Sequence, residues 1–134
     1  MKKFLSIIIV IQSAFIATSQ NSVSNTKWSV HMETPRRADL IWLFKNDSSF
    51  VYVNNEKQPV GVGTFKQHND SLLIRKVSGS SPCRDGSEGW YRIEWLENGK
   101  KIKLHLLKDD CPARYLLYPN FDITRIREDN KEGS

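Results

Sequence analysis

From Thr26 onward the chain is a succession of short runs in which apolar residues fall at every second position, separated by clusters of Asn, Asp, Gly and Ser. Period two is the spacing of one face of a β-strand, and turn-forming clusters between such runs mark hairpins. The clearest run is YRIEWLENGKKIKLHLL, residues 91–107. Asn98-Gly99 suits a two-residue type I′ turn, because both central positions need positive φ and these two residues tolerate it best. With the turn placed there, Tyr91 opposes Leu106, Ile93 opposes Leu104 and Trp95 opposes Ile102 on a wholly apolar face. Arg92 and His105, Glu94 and Lys103, and Leu96 and Lys101 oppose each other on the face that meets water. A one-residue slip would turn Ile102, Leu104 and Leu106 outward, so the register is strongly specified.

The remaining runs follow the same reading. Residues 26–33 alternate with Trp28, Val30 and Met32 on one face, and Pro35, Arg36 and Arg37 end the strand. Residues 40–45 and 50–54 form a hairpin about 46–49, with Leu40, Trp42 and Phe44 on one face and Ile41 and Leu43 on the other. Residues 60–66 and 71–77 form a third hairpin about His68, Asn69 and Asp70, and Gly61 and Gly63 in its first strand predict a bulge or bend. Residues 78–88, SGSSPCRDGSE, make a long polar loop suited to a rim or lid. After a turn at residues 109–112, strands are expected at 114–118 and 121–126, with a break at Pro119-Asn120 and a frayed tail at 127–134. No run has a sustained helical period. The expected fold is all-β, a single antiparallel up-and-down barrel of about eight strands.

The first twenty residues, MKKFLSIIIVIQSAFIATSQ, change the picture of where this barrel works. Two lysines, an apolar run too short for a stable span, and small residues at Ala17 and Ser19 have the form of a secretory leader over residues 1–19. Residues 20–134 are then the folded domain, about 115 residues with room for one modest core. The expected product is exported, periplasmic or secreted, with no stable membrane anchor after cleavage. The chain carries 20 Lys and Arg against 15 Asp and Glu, and the excess is scattered among acids. A nucleic-acid binder would gather its basic residues with exposed aromatics on one surface, so nucleic acid is not an expected partner.

Export also fixes the reading of the two cysteines. Cys83 and Cys111 are an even pair in an oxidising compartment, and residue 89 opposes residue 108 in the hairpin register, which brings both cysteines to one end of the same two strands. A disulfide is expected, worth on the order of 3 to 4 kcal/mol if it acts through chain entropy.

A tryptophan in the first strand, a series of hairpins and no long helix make the chain resemble the lipocalin-like, or calycin-type, small barrels. The residues that carry the resemblance are Asn25-Thr26-Lys27-Trp28 at the place of the lipocalin Gly-x-Trp, Gly63-Thr64-Phe65, and Asp110-Cys111-Pro112-Ala113-Arg114. Thr26 stands where that motif has glycine, and the chain is shorter than a lipocalin with its extra helix. The resemblance implies an arginine packed across Trp28 at the closed end, with Arg114 or Arg125 in that part.

The chemistry on offer is sparse. His31, His68 and His105 are isolated and have no metal-ligand spacing. Asp109-Asp110 reads as a polar turn, since neighbours at a strand end point to opposite sides. No nucleophile motif or phosphate-cradling loop occurs, so neither an enzyme nor a cofactor is expected. The remaining signal is aromatic: Trp42, Tyr52, Phe65, Tyr91 and Trp95 fall mid-strand and suit a ligand pocket with a few polar points. An eight-stranded barrel is also narrow enough to be filled by such side chains outright. The leading expectation is a secreted lipocalin-like protein that binds a small, largely apolar ligand. The alternative is a protein-interaction module, or an inhibitor of a secreted or host hydrolase, acting through the 78–88 loop with Arg84 or through the Lys100-Lys101 tip.

The cysteine pair yields the first test. Replacing both, as Cys83→Ala/Cys111→Ala, is expected to lower stability by roughly 2 to 5 kcal/mol. Melting curves of oxidised, reduced and doubly substituted protein measure it, and equal melting temperatures would leave the bridge without structural weight.

Overall fold

The computed structural model describes residues 21–34, 37–53 and 56–127. The leader, the strand stop at Pro35-Arg36, the strand end at Asn54 and the tail from residue 128 lie outside the described residues. Eight strands run in chain order: β1 (Thr26–Met32), β2 (Ala38–Phe44), β3 (Ser48–Val53), β4 (Gly61–His68), β5 (Ser71–Gly79), β6 (Glu88–Leu96), β7 (Lys101–Asp109) and β8 (Asp122–Arg125). Each pairs antiparallel with the next, and β8 returns to β1, so the sheet closes into a barrel. All-β barrel architecture is thus as the alternation predicts.

Turn chemistry decides which end is closed. β2 and β3 meet at a tight turn in which the Lys45 N–H donates to the Ser48 carbonyl. That is tighter than the 46–49 turn read from sequence, because Phe44 already pairs with Ser49. β4 and β5 turn at Asn69-Asp70, with Asn69 at φ 54. β6 and β7 turn at Asn98 (φ 58, ψ 38) and Gly99 (φ 84), and the Lys100 N–H donates to the Glu97 carbonyl at 3.1 Å. Glu97 is itself left-handed at φ 51, which the two-residue turn does not require. These three tight turns cluster at one end, and the longer connections lie at the other.

All six pairs expected between β6 and β7 are present, from Tyr91 against Leu106 to Leu96 against Lys101. Beyond them a bulge at Leu107 shifts the register, so Gly89 faces Asp109 rather than residue 108. The apolar face is correspondingly shorter than the alternation implies. Tyr91, Ile93, Ile102 and Leu104 are buried, but Leu106 is 43% exposed. The expected bulge near Gly61 and Gly63 is also found, with Val62 paired to Ser78 and Gly63 to Lys76. A Cβ on Gly63 would lie 2.5 Å from the Arg75 carbonyl oxygen, so the close approach of the two strands requires glycine there.

One expected strand is not a strand. Residues 114–118 are instead part of a helical turn α1 (Pro112–Tyr115) followed by a 3-10 turn at Tyr118–Asn120. Pro112 at the first helical position presets φ, and the amides of Arg114 and Tyr115 donate back to the Cys111 carbonyl. Sheet pairing offers these residues little, because β7 meets β8 only at Lys101 and Ile102. The α1 segment therefore covers the upper part of the barrel wall instead of extending it.

At the closed end Trp28 is fully buried, and its indole N–H donates to the Thr26 hydroxyl at 2.7 Å. Thr26 in turn donates to the Val23 carbonyl, and the Val23 N–H to Gln67 Oε1 at 2.9 Å, so residues 21–25 plug the barrel. Arg125 packs its guanidinium 5.9 Å from the Trp28 ring and is the arginine that takes the position expected for Arg114 or Arg125. Thr26→Val keeps the shape of this buried side chain but strands two polar groups. It is expected to cost about 1 to 3 kcal/mol in denaturant unfolding, and no loss would remove this chain of bonds from the plug's account.

Candidate functional site

The two halves of the barrel interior differ. Toward the closed end it is packed solid: Phe44 meets Phe65 edge-on at 5.0 Å, Trp28 lies 6.4 Å from Trp95, and Leu72, Ile93, Ile102 and Leu104 fill the remaining space. Toward the open end lies an apolar cavity of about 220 Å³. Its walls are Val30, Leu40, Trp42, Val51 and Ile74, projecting inward from β1, β2, β3 and β5. Ala113, Leu117, Tyr118 and Phe121 roof it, and Ser78, Ser80, Ser81 and Cys83 form the mouth. Two larger hollows, about 590 and 550 Å³, are open polar clefts on the outside of the closed end.

The five aromatic residues expected to bind ligand are dispersed by this arrangement. Trp42 borders the cavity, its ring 5.0 Å from Phe44 and 5.2 Å from Tyr118. Phe65 belongs to the solid half. Trp95 packs against Trp28 and donates its N–H to Asp70 at 3.2 Å. Tyr91 is wholly buried, 5.5 Å from Tyr118, with its hydroxyl on Asp109. Tyr52 pairs with Ile41, on the outer face opposite to that of Trp42. The apolar face of the 91–107 hairpin, apart from the exposed Leu106, therefore fills core, and none of its residues borders the cavity.

Trp42 also has an electronic peculiarity. Its indole Nε1 is the one buried side-chain polar atom among the described residues without a hydrogen-bond partner. A buried donor left unpaired costs about 1 to 3 kcal/mol. Most of the remaining lining is apolar; its polar members are the hydroxyl of Ser49, the phenol of Tyr118, the serines of the mouth, and Arg75, Lys76 and Arg114. Burial pushes the Tyr118 phenol up to about 12, so it remains neutral.

Beside the roof sits a polar group that the sequence reading missed. Asp109 is not part of a solvated turn: its side chain is 0% exposed and that of Arg114 is 4% exposed. Arg114 grips Asp109 with two bonds, Nε to Oδ2 at 2.6 Å and Nη2 to Oδ1 at 2.9 Å. The Tyr91 hydroxyl donates to Oδ2 at 2.6 Å and the Cys111 N–H to Oδ1 at 2.9 Å, which completes the carboxylate's shell. Burial alone would raise the Asp109 carboxyl, but Arg114, Tyr91 and the Cys111 amide outweigh it and hold the group below its usual range. Burial and the Asp109 bond push the Tyr91 phenol up. Gly89 makes the room, since a Cβ there would collide with the Asp109 carboxylate. The readable signals are Pro112 as a helix start and Arg114, an opposite charge five residues after Asp109, but neither reveals burial.

The mouth is pinned from two sides. Cys83 and Cys111 form a disulfide across a separation of 28 residues, joining the loop to the start of α1. Lys76 Nζ donates to the Ser81 carbonyl at 2.7 Å and the Cys83 carbonyl at 2.6 Å, with Asp85 at 3.5 Å. His31 lies apart, exposed between Asp39 at 2.6 Å and Glu33 at 2.5 Å, and those bonds, Asp39 first, raise its pKa. Among the described residues no group of His, Cys, Asp and Glu has the geometry to hold a metal ion.

No family model matches the chain, and neither a characterised protein nor a solved structure matches it. The geometry above is what bears on function.

The ion pair makes a pH-dependent prediction. The carboxyl of Asp109 is depressed below the ordinary value of 3.8, so its contribution is complete above that value and is lost as pH falls through the folded one. Acid unfolding followed by circular dichroism is expected to show this loss in the wild type and to lack it in Asp109→Asn. Leaving Arg114 buried without its partner, the substitution is expected to cost roughly 3 to 5 kcal/mol at neutral pH. Parallel acid profiles of the two proteins would contradict the assignment.

Proposed function

We propose that this protein is an exported, lipocalin-like binder of a small, largely apolar molecule, held in the open half of the barrel. The observation that carries the reading is the apolar cavity of about 220 Å³ bordered by Trp42. An apolar cavity of about 150 Å³ suffices to hold benzene, and pockets for drug-sized molecules begin near 300 Å³. The ligand is accordingly the size of one substituted ring or a short chain. The lipocalin likeness is supported by the closed eight-stranded barrel and by Arg125 across Trp28. Export is supported by the leader-like first twenty residues and by a disulfide that an oxidising compartment would maintain. Binding rather than catalysis is favoured because two of the three cations that line the cavity, Arg114 and Lys76, are engaged in holding the fold.

Toluene is a suitable first probe. It is expected to bind saturably, to shift amide resonances of Val30, Leu40 and Val51, and at tenfold excess over its Kd to raise stability by about 1.4 kcal/mol. Val51→Phe, which places a ring in the cavity, is expected to keep the fold and lose the binding. If neither toluene nor a panel of ring-sized and short-chain probes perturbs these residues, the reading fails.

A further inference from the structure

Basic residues are scattered along the chain, but closing the barrel gathers four of them. Lys27 on β1, Lys45 just after β2, Arg125 at the end of β8 and Arg127 beyond it line one cleft of about 590 Å³ outside the closed end. The rest of its lining is neutral, so the cleft holds no acid. Among the described residues none of the four is ion-paired, whereas Lys76, Lys101 and Arg114 each face an aspartate.

The frame beneath these charges is fixed by the sheet. Lys27 pairs with Leu43 of β2, and on its other side its carbonyl accepts the Ile126 N–H at 2.8 Å. Leu43 and Ile126 are half-buried, so Lys27 is flanked by apolar neighbours that offer it no counter-charge. The Arg125 guanidinium lies 5.9 Å from the Trp28 ring, and its amide donates to the Lys100 carbonyl at 2.8 Å. Lys45 sits in the tight β2–β3 turn, its N–H on the Ser48 carbonyl.

Like charges held together in one concave space raise the potential there and attract a counter-ion. A single carboxylate would leave most of this charge unanswered. A group with two or more negative charges meets ammonium and guanidinium donors together, and a guanidinium fork matches phosphate oxygens two at a time. The cluster is also confined: the neighbouring hollow carries one acid, Asp47, against one base, Lys66. A compact anion fits this charge pattern better than a long polyanion. We infer that the cleft formed by Lys27, Lys45, Arg125 and Arg127 is an anion site for a compact phosphate-type oxyanion with two or more negative charges, free or carried as a lipid headgroup. The inference is independent of the apolar cavity, which lies toward the other end of the barrel.

Pyrophosphate is the soluble probe, and phosphatidylcholine vesicles with and without phosphatidic acid present the same chemistry on a membrane. Bound anion is expected to shift the amide resonances of Lys27, Leu43, Lys45 and Ile126 saturably, and to bind more weakly as salt is added. Lys45→Gln/Arg127→Gln removes two exposed charges, and is expected to keep the wild-type melting temperature and to weaken binding about tenfold or more. Arg84→Gln/Lys108→Gln removes the same charge from exposed positions toward the open end and is expected to leave binding close to unchanged. Binding of pyrophosphate supports a soluble ligand, and vesicle binding that requires phosphatidic acid while pyrophosphate is inert supports a headgroup. Inertness of both probes, shifts that fall elsewhere on the barrel, or equal losses in the two double variants overturns the inference. So does binding that appears only in Glu128→Gln/Asp129→Asn, which would give the cleft to the chain's own tail. The resonances are read in the wild type and so decide the matter whatever the variants do.

Discussion

The open half of this barrel depends on the buried pairing of Asp109 with Arg114. A carboxylate and a guanidinium lose several kcal/mol each on leaving water, and their attraction offsets this only with good geometry and every remaining acceptor filled. Both conditions are met here: the guanidinium grips both carboxylate oxygens, and Tyr91 and the Cys111 amide supply further donors. The bonds tie the α1 turn, which no sheet ladder reaches, to the end of β7 and the inner face of β6. Gly89 and the Leu107 bulge belong to the same arrangement, one leaving space for the carboxylate and the other placing Asp109 opposite that space.

The pair's consequence is a roof. Because β8 pairs with β7 only at Lys101 and Ile102, the upper edge of β7 would be left without a neighbour. Pinned by Arg114 and by the disulfide at Cys111, the α1 segment and the Tyr118–Asn120 turn cover that edge. Their inward side chains, Leu117, Tyr118 and Phe121, then bound a space that the strands alone would leave open. The Cys83 end of the disulfide and the carbonyls held by Lys76 bring the loop to the mouth of the same space.

The two ends of the barrel thus solve different problems. Tight turns and the plug of residues 21–25 let the closed end fill completely, with the polar atoms of Trp28 and Trp95 each given a partner. At the open end the connections are long, the strands diverge from their simple register at two bulges, and Trp42 alone among the described residues keeps a buried, unpaired donor. The one buried polar deficit among the described residues thus falls on the tryptophan whose ring lies between Phe44 of the packed core and Tyr118 of the roof.

Alternation and turn residues are local properties, and what depends on them was legible in the chain. The six β6–β7 pairs, the Asn98-Gly99 turn, the bend at Gly63 and the Cys83–Cys111 bridge follow from side chains a few positions apart or from one register extended to its end. Residues 114–118 were misread because a short apolar run has no period of its own, and Pro112 together with the absence of a strand partner settled it as helical. The aromatic residues were visible, but not which of them would border space: Trp42 and Phe65 occupy similar mid-strand positions, and only the fold over the open end leaves one beside a cavity and the other in solid core. The burial of Asp109, and the choice of Arg125 rather than Arg114 to cross Trp28, belong to the same kind of fact. A charge is buried or solvated according to what packs above it, and what packs above is decided by chain segments that meet only when the barrel closes.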